Sequence, residues 1–270
     1  MGKKIVALSL ALVMVFSFTA CGEELPSAQE IVDGVIASFD NIRTYQFDSN
    51  EIVDMTFEGD GEEEESFTLI SNCTIDIENR QLRVDTSISE TEQPEIVWGG
   101  EQYFIDGMLY AKPKDPEGES VWMKQEAPEG WWEDFQKMGV ESQIELLEAA
   151  QVEVIGSESV DGIDCYILEV TPDLEKLWQL YNYLTLQEPP DVTEEYLQEI
   201  FRSFSIKQWV AKDTYFLMKA EIDITTEFPP EELGPSAIDM AMVLLAYDYN
   251  QPVSIELPPE AEEAVEMPAE

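Results

Sequence analysis

Alternation of apolar and polar residues is the feature that most constrains this sequence. Between residues 45 and 88 an apolar side chain recurs at every second position in several stretches, with polar clusters between them. Successive side chains of a β-strand point to opposite faces, so a period of two predicts antiparallel strands with one apolar face each. We interpret the segment as four successive strands, which carry Tyr45 and Phe47; Val53, Met55 and Phe57; Phe67, Leu69, Cys73, Ile75 and Ile77; and Leu82, Val84 and Ile88.

Two Asp-Gly pairs predict tight hairpins further along the chain. Asp106-Gly107 and Asp161-Gly162 each lie between strand-forming runs, and this dipeptide readily adopts the positive φ angles of a two-residue turn. The return strand of the second hairpin is apolar at consecutive positions 165–168, so we expect both of its faces to be covered. A third hairpin is predicted over 209–218, and a closing strand over 242–247.

Helical spacing of apolar residues occurs in three places. One amphipathic helix is predicted over 28–42, and a pair of short helices over 131–150, divided at Gly139. In the insertion 173–204, Pro189-Pro190 ends a first helix. A second helix is predicted to follow it, with Tyr196, Ile200 and Phe204 on one face. One large antiparallel sheet with helices before and between its strands is an α+β fold.

The N-terminus has the composition of an export signal. Lys3 and Lys4 precede an uncharged apolar stretch from Ile5 to about Phe18, and small residues follow. The apolar stretch is shorter than the roughly 20 residues that cross a bilayer comfortably. We therefore expect residues 1–20 to be a signal peptide and the mature protein to work outside the cytoplasm.

Cys21 decides between anchoring and simple secretion. Thr19 and Ala20 directly before it resemble the bacterial lipobox, in which the cysteine thiol receives a diacylglycerol group before cleavage; Phe18 stands where Leu is usual. Two or three acyl chains hold a protein stably at a membrane. We predict lipidation at Cys21 and anchoring to the bacterial cell membrane; the alternative is ordinary secretion with an incidental cysteine.

Charge and composition exclude several classes of function. The chain has a formal net charge of −44, and removal of residues 1–20 takes away two lysines and no acid. Such a surface repels nucleic acid and anionic head groups. Histidine is absent, which removes the commonest general base and zinc ligand.

The acidic run 58–65 lacks the residue alternation of a calcium loop, so we interpret it as a hairpin tip and expect neither a metal nor a cofactor.

Cys73 and Cys165 leave two alternatives open. In an exported protein they can form a disulfide. They can equally be two small buried apolar side chains.

The order of parts resembles the lipoprotein-carrier superfamily, which includes the LolA/LolB carriers and the LppX/LprG lipoproteins. The resemblance rests on the lipobox cysteine, the early helix, the long hairpins and the C-terminal motif Tyr-Asn-x-Pro-Val-x-Ile-x-Leu-Pro at 249–258. It implies a curved antiparallel half-barrel, with helices packed on its concave face and an apolar cavity that takes acyl chains. The long second insertion and the extreme acidity depart from the family pattern.

Aromatic residues are the candidates for lining such a cavity. Trp98, Tyr103, Trp178 and Phe201 are expected to line it, and Trp122, Trp131 and Trp132 to lie at its mouth. The alternative is that each of them packs in an ordinary core. A continuous apolar cavity of several hundred Å³ would favour binding. A sheet face filled by helix side chains would argue against it.

These observations predict a lipidated tether at 21–29, a single domain at 30–258 and a disordered acidic tail at 259–270.

The first functional hypothesis is a monomeric, non-enzymatic module that binds lipid or another apolar ligand. The second is a structural or sensory envelope lipoprotein that acts through its acidic surface on a cationic protein partner. A hydrolase would need paired carboxylates or a serine–lysine pair, and no Ser-x-x-Lys occurs.

Overall fold

A computed structural model describes residues 25–57, 63–114, 118, 120–136, 142–176, 178, 193–228 and 235–267. Its helices include α1 (Ala28–Phe39), α2 (Trp131–Gln136), α3 (Ser142–Ala149) and α4 (Glu194–Ile200). Its strands are β1 (Thr44–Phe57), β2 (Glu63–Asp76), β3 (Gln81–Glu90), β4 (Gln93–Ile105), β5 (Met108–Lys114), β6 (Met123–Glu126), β7 (Gln151–Val160), β8 (Ile163–Thr171), β9 (Phe201–Ala211), β10 (Leu217–Glu227), β11 (Ala237–Tyr247) and β12 (Val265–Glu266).

In these residues, twelve strands form one open sheet. Their order is β12-β6-β5-β4-β3-β2-β1-β11-β10-β9-β8-β7, so β12 and β7 are its edges. Neighbouring strands are antiparallel except β12 and β6, which run parallel. The predicted α+β fold, a large antiparallel half-barrel with helices on one face, is confirmed.

Helix α1 begins at a capping box. The Ser27 hydroxyl accepts a hydrogen bond from the backbone N–H of Glu30, and the Glu30 carboxylate accepts one from the backbone N–H of Ser27. These bonds satisfy two groups that a helix start leaves unpaired. The apolar side of α1 is buried against β8, β9 and α3. Gly34 permits this packing, because a Cβ there would lie 2.6 Å from the Tyr215 ring.

Both Asp-Gly pairs form the predicted turns. Asp106 and Gly107 have φ angles of 52° and 77°, and Asp161 and Gly162 have φ angles of 50° and 85°. The first turn joins β4 to β5 and the second joins β7 to β8. The third predicted hairpin is also present, joining β9 to β10.

Three sequence-based assignments of secondary structure are wrong. The first two predicted strands are one continuous strand, β1, which keeps an unbroken register with both neighbours. Phe204 lies in β9 and not in a helix, because α4 ends at Ile200. The closing strand β11 begins at Ala237, five residues before the predicted start. Most of the insertion predicted as a long helix, 179–192, lies outside the described residues.

The expected disorder of the acidic tail is wrong for residues 259–267. Pro259–Glu263 form a short 3-10 helix, and β12 pairs with β6. Ala261 is fully buried and Ala264 is 8% exposed. The two alanines pack against the sheet, and the backbone N–H groups of Val265 and Met267 donate hydrogen bonds to the carbonyls of Trp122 and Lys124. Within the described chain, none of the helices has the length and hydrophobicity needed to cross a bilayer.

Candidate functional site

The helices α1, α2 and α3 pack on one face of the sheet, which we call the inner face. The register aligns one inner-face residue from each of nine neighbouring strands in a single cross-strand row. Eight of the nine are apolar, and the ninth is Glu51. The row runs Val152, Val170, Ile206, Ile222, Met242, Glu51, Leu69, Ile88 and Trp98.

Helices bury only part of this row. Val170 and Ile206 are 2% and 4% exposed, because α1 and α3 cover them. Met242, Leu69 and Trp98 are only half-buried and belong to none of the core clusters of the described residues. A contiguous apolar surface that its own protein covers incompletely is typical of a binding site.

A cavity of about 90 Å³ lies beside the row. Its lining residues are almost entirely apolar: Trp178, Phe201, Ile224, Thr226, Phe228, Ile238 and Met240. The rings of Trp178 and Phe201 meet edge to face with centroids 6.4 Å apart. Ile224 and Met240 follow Ile222 and Met242 on the same face of β10 and β11, so cavity and row are continuous. The cavity is smaller than the roughly 300–1,000 Å³ of a typical ligand pocket.

Next to the apolar row lies a short row of hydroxyl groups. Ser49, Ser71 and Thr86 are aligned across β1, β2 and β3, and the Ser71 and Thr86 hydroxyl oxygens are 3.4 Å apart. Glu51 follows Ser49 on the same face of β1. We call these four residues the polar belt. Burial raises the pKa of the Glu51 carboxyl above its usual value, because a carboxylate loses hydration among apolar neighbours.

The sequence contains a signal for the polar belt that we misinterpreted. In β1 the apolar phase runs Tyr45, Phe47, Val53, Met55, and the two missing positions in that phase are Ser49 and Glu51. We interpreted the gap as a break between two strands. The gap is instead a pair of polar residues on the inner face of one continuous strand. The aligned inner-face positions of β2 and β3 are also polar, at Ser71 and Thr86.

Comparison with family models matches residues 27–266 to a family of unknown function, DUF6612. The chain belongs to this family. A search of curated proteins finds no match to this DUF6612 chain.

Three solved structures are similar to this DUF6612 protein in fold. Mycobacterium tuberculosis lipoprotein LppX is 13% identical, with 85% of this chain and 100% of that one covered, and a TM-score of 0.47. Mycobacterium bovis LprF is 13% identical, with 86% and 96% covered and a TM-score of 0.46. A LolA superfamily protein of Nitrosomonas europaea is 15% identical, with 87% and 96% covered and a TM-score of 0.22. At these identities the likeness is one of fold alone.

Two of the predicted cavity residues lie elsewhere in the DUF6612 structure. Tyr103 points to the outer face, opposite the helices, and its ring packs on Trp122 with centroids 5.8 Å apart. Both are buried beneath Ile255, Ala261 and Ala264 of the C-terminal segment. The expectation that they lie at an inner-face cavity is wrong. Tyr103 is one step along β4 from the inner-face Phe104, which reverses its face, and Trp122 packs against Tyr103.

The remaining aromatic candidates divide between core and inner face. Trp131 and Trp132 are part of α2, where both rings stack on Phe104 with centroids 4.6 and 5.3 Å apart. They fill the inner face at that end of the sheet, as core residues do. Trp98, Trp178 and Phe201 do lie on the incompletely covered inner face or in its cavity.

The disulfide alternative is wrong for this fold. Cys73 and Cys165 are both buried and free. They lie on β2 and β8, between which stand four other strands. Neighbouring strands are roughly 4.8 Å apart, whereas the Cα atoms of a disulfide lie within about 7 Å. Burial raises the pKa of the Cys73 thiol to about 12, so this thiol stays protonated and unreactive at neutral pH.

Cys21 and residues 58–62 of the acidic run lie outside the described residues. Among the residues that the structure does describe, no group of three or more Cys, Asp or Glu side chains is arranged to hold a metal ion.

Proposed function

We propose that this protein is an extracytoplasmic lipoprotein, anchored through Cys21, that binds the acyl chains of a membrane lipid against the inner face of its sheet. The observation that carries the proposal is the cross-strand row, which is buried at Val170 and Ile206 under α1 and α3 but only half-buried from Met242 to Trp98. Acyl chains would complete its burial, and each methylene contributes about 0.8 kcal/mol.

The position of the anchor supports a lipid as the occupant. A protein tethered by an acylated cysteine a few residues before its first helix stays within reach of the membrane surface. The 90 Å³ cavity at Trp178 and Phe201 is too small for a whole lipid, so we assign it to the end of one acyl chain. The rest of the chain would lie along the open apolar row.

Native mass spectrometry with organic extraction tests the proposal. The chain from Gly22 onward, which keeps every described residue, is expressed in a bacterial host and examined for co-purifying phospholipid. In the inner-face variant Val53→Gln/Leu69→Gln, two half-buried apolar residues become polar. We expect at least a tenfold loss of bound lipid.

A matched variant is available one residue away on the same strands. Ile52 and Ile70 point to the outer face and are 44% and 46% exposed, so Ile52→Gln/Ile70→Gln should keep lipid occupancy within about twofold of wild type. A wild-type protein that stays free of lipid, even after incubation with phospholipid, would overturn the proposal. It would favour the second hypothesis, a lipoprotein that acts through its acidic surface.

A further inference from the structure

Glu51 is the one charged member of the nine-residue row. It lies between Met242 on β11 and Leu69 on β2, and Ser49 and Val53 flank it on the same face of β1. Within the described residues its carboxylate makes no hydrogen bond or ion pair, although 14 lysines and arginines occur in the sequence. A half-buried carboxylate is costly unless a cation or a hydrogen-bond donor meets it, so this position favours a ligand that supplies one.

The rest of the polar belt adds hydrogen-bonding groups of a different kind. A carboxylate only accepts hydrogen bonds, whereas the hydroxyls of Ser49, Ser71 and Thr86 can also donate them. Ser49 and Glu51 are two residues apart on β1, roughly 6.7 Å along the strand. The belt thus offers donors to an anionic group and, beside them, an acceptor for a cationic group.

Zwitterionic phospholipids with a primary ammonium group have this pattern of charge. Their ammonium group has three N–H donors for Glu51, and their phosphate accepts hydrogen bonds from the hydroxyl row. Lipids with net negative charge fit poorly, because their head groups have no excess positive charge to pair with the Glu51 carboxylate. They are also repelled by a chain of formal net charge −44.

We propose that the polar belt selects a phospholipid with a primary ammonium head group, bound with its ammonium at Glu51, its phosphate at the hydroxyl row and its acyl chains on the apolar inner face. This inference rests on the proposed function and narrows its ligand to one class of lipid head.

Titration with three lysophospholipids of identical acyl chain, each below its micelle concentration, tests the selectivity. The probes are lysophosphatidylethanolamine, lysophosphatidylcholine and lysophosphatidylglycerol, added to the chain from Gly22 onward. The ethanolamine probe should bind at least tenfold more tightly than the glycerol probe. It should also bind about threefold more tightly than the choline probe, which has the same net charge but no N–H donors.

Two variants separate the role of Glu51 from that of overall charge. Glu51→Gln should bring the ethanolamine and glycerol probes within about threefold of each other. Asp54→Asn removes an exposed charge on the outer face of the same strand and should leave the ratio unchanged. If Glu51→Gln binds the probes with the wild-type ratio, the head-group inference is overturned while the proposed function stands. If wild type binds none of the three probes, the proposed function itself fails.

Discussion

Glu51 on β1 lies directly opposite Met242 on β11, and on its other side it lies opposite Leu69 on β2. Its carboxylate therefore stands between two apolar side chains in the middle of the inner face. Burial is the cause of its raised pKa, and no charged neighbour contributes to the shift. An ionised Glu51 thus destabilises the ligand-free fold.

Replacing Glu51 with Gln should raise the free energy of unfolding at neutral pH. The pKa of Glu51 is higher in the folded chain than its ordinary value of 4.5. The folded chain therefore holds the Glu51 proton more tightly than the unfolded chain does. The resulting stabilisation of the fold is complete below the unfolded-state pKa and is lost as the pH rises through the folded-state pKa. Gln does not ionise, so the variant does not lose this stabilisation as the pH rises. In urea denaturation, the variant should exceed the wild type in free energy of unfolding by more at pH 7 than at pH 4.

Any loss of negative charge also relieves repulsion in a chain this acidic, and Asp54→Asn measures that relief. Asp54 is exposed on the opposite face of β1. If both variants gain the same stability at pH 7, desolvation of Glu51 is not the cause.

Gly99→Ala should destabilise the protein by roughly 3 kcal/mol, from combined backbone strain and overpacking. Gly99 has a φ angle of 120°, and a Cβ there would lie 2.1 Å from the backbone oxygen of Thr86. Gly156→Ala on β7 is the matched change, because its Cβ would meet only Ile167 at 3.9 Å. The second variant should lie within about 1 kcal/mol of wild type. Equal losses in urea denaturation would contradict the close approach of β3 to β4.

Truncation after Pro258 should destabilise the protein by about 3 kcal/mol or more, comparable to a large-to-small replacement in a core. It removes Ala261 and Ala264, which cover Tyr103 and Trp122 on the outer face. Exposure of Trp122 should also shift the tryptophan emission to longer wavelength. Truncation after Met267 keeps both alanines and serves as control. A stability unchanged by the longer truncation would indicate that the tail does not pack on the sheet.

Cys21→Ser should abolish anchoring without changing the fold. Serine lacks the thiol that accepts the diacylglycerol group, so the full chain expressed in bacteria should leave the membrane fraction almost completely. Metabolic labelling with a radioactive fatty acid should mark the wild-type chain and not the variant. Labelling of both would show that lipid is attached elsewhere.

Local patterns in the sequence predicted much of the fold. The Asp-Gly turns, α1, the division between α2 and α3 and most strands each follow from preferences of neighbouring residues. The errors occurred where the local pattern was ambiguous. The gap at Ser49 and Glu51 has the same appearance whether a strand ends there or continues with polar residues on its inner face.

The candidate site was much less predictable. Tyr103 and Trp98 lie five residues apart on β4 and have similar character in the sequence, yet Trp98 faces the inner side and Tyr103 the C-terminal segment. Neither the burial of Ala261 nor the separation of Cys73 from Cys165 is encoded in any short stretch of sequence.

The sequence by itself determined most element types, the tight turns and the strongly negative net charge, since each depends on residues close together or on composition. Only the tertiary structure decided which apolar residues the helices cover and that Glu51, Ser71 and Thr86 share one face. The physical reason is strand register. It aligns residues far apart in the chain, and a shift of a single residue reverses the face on which each side chain lies.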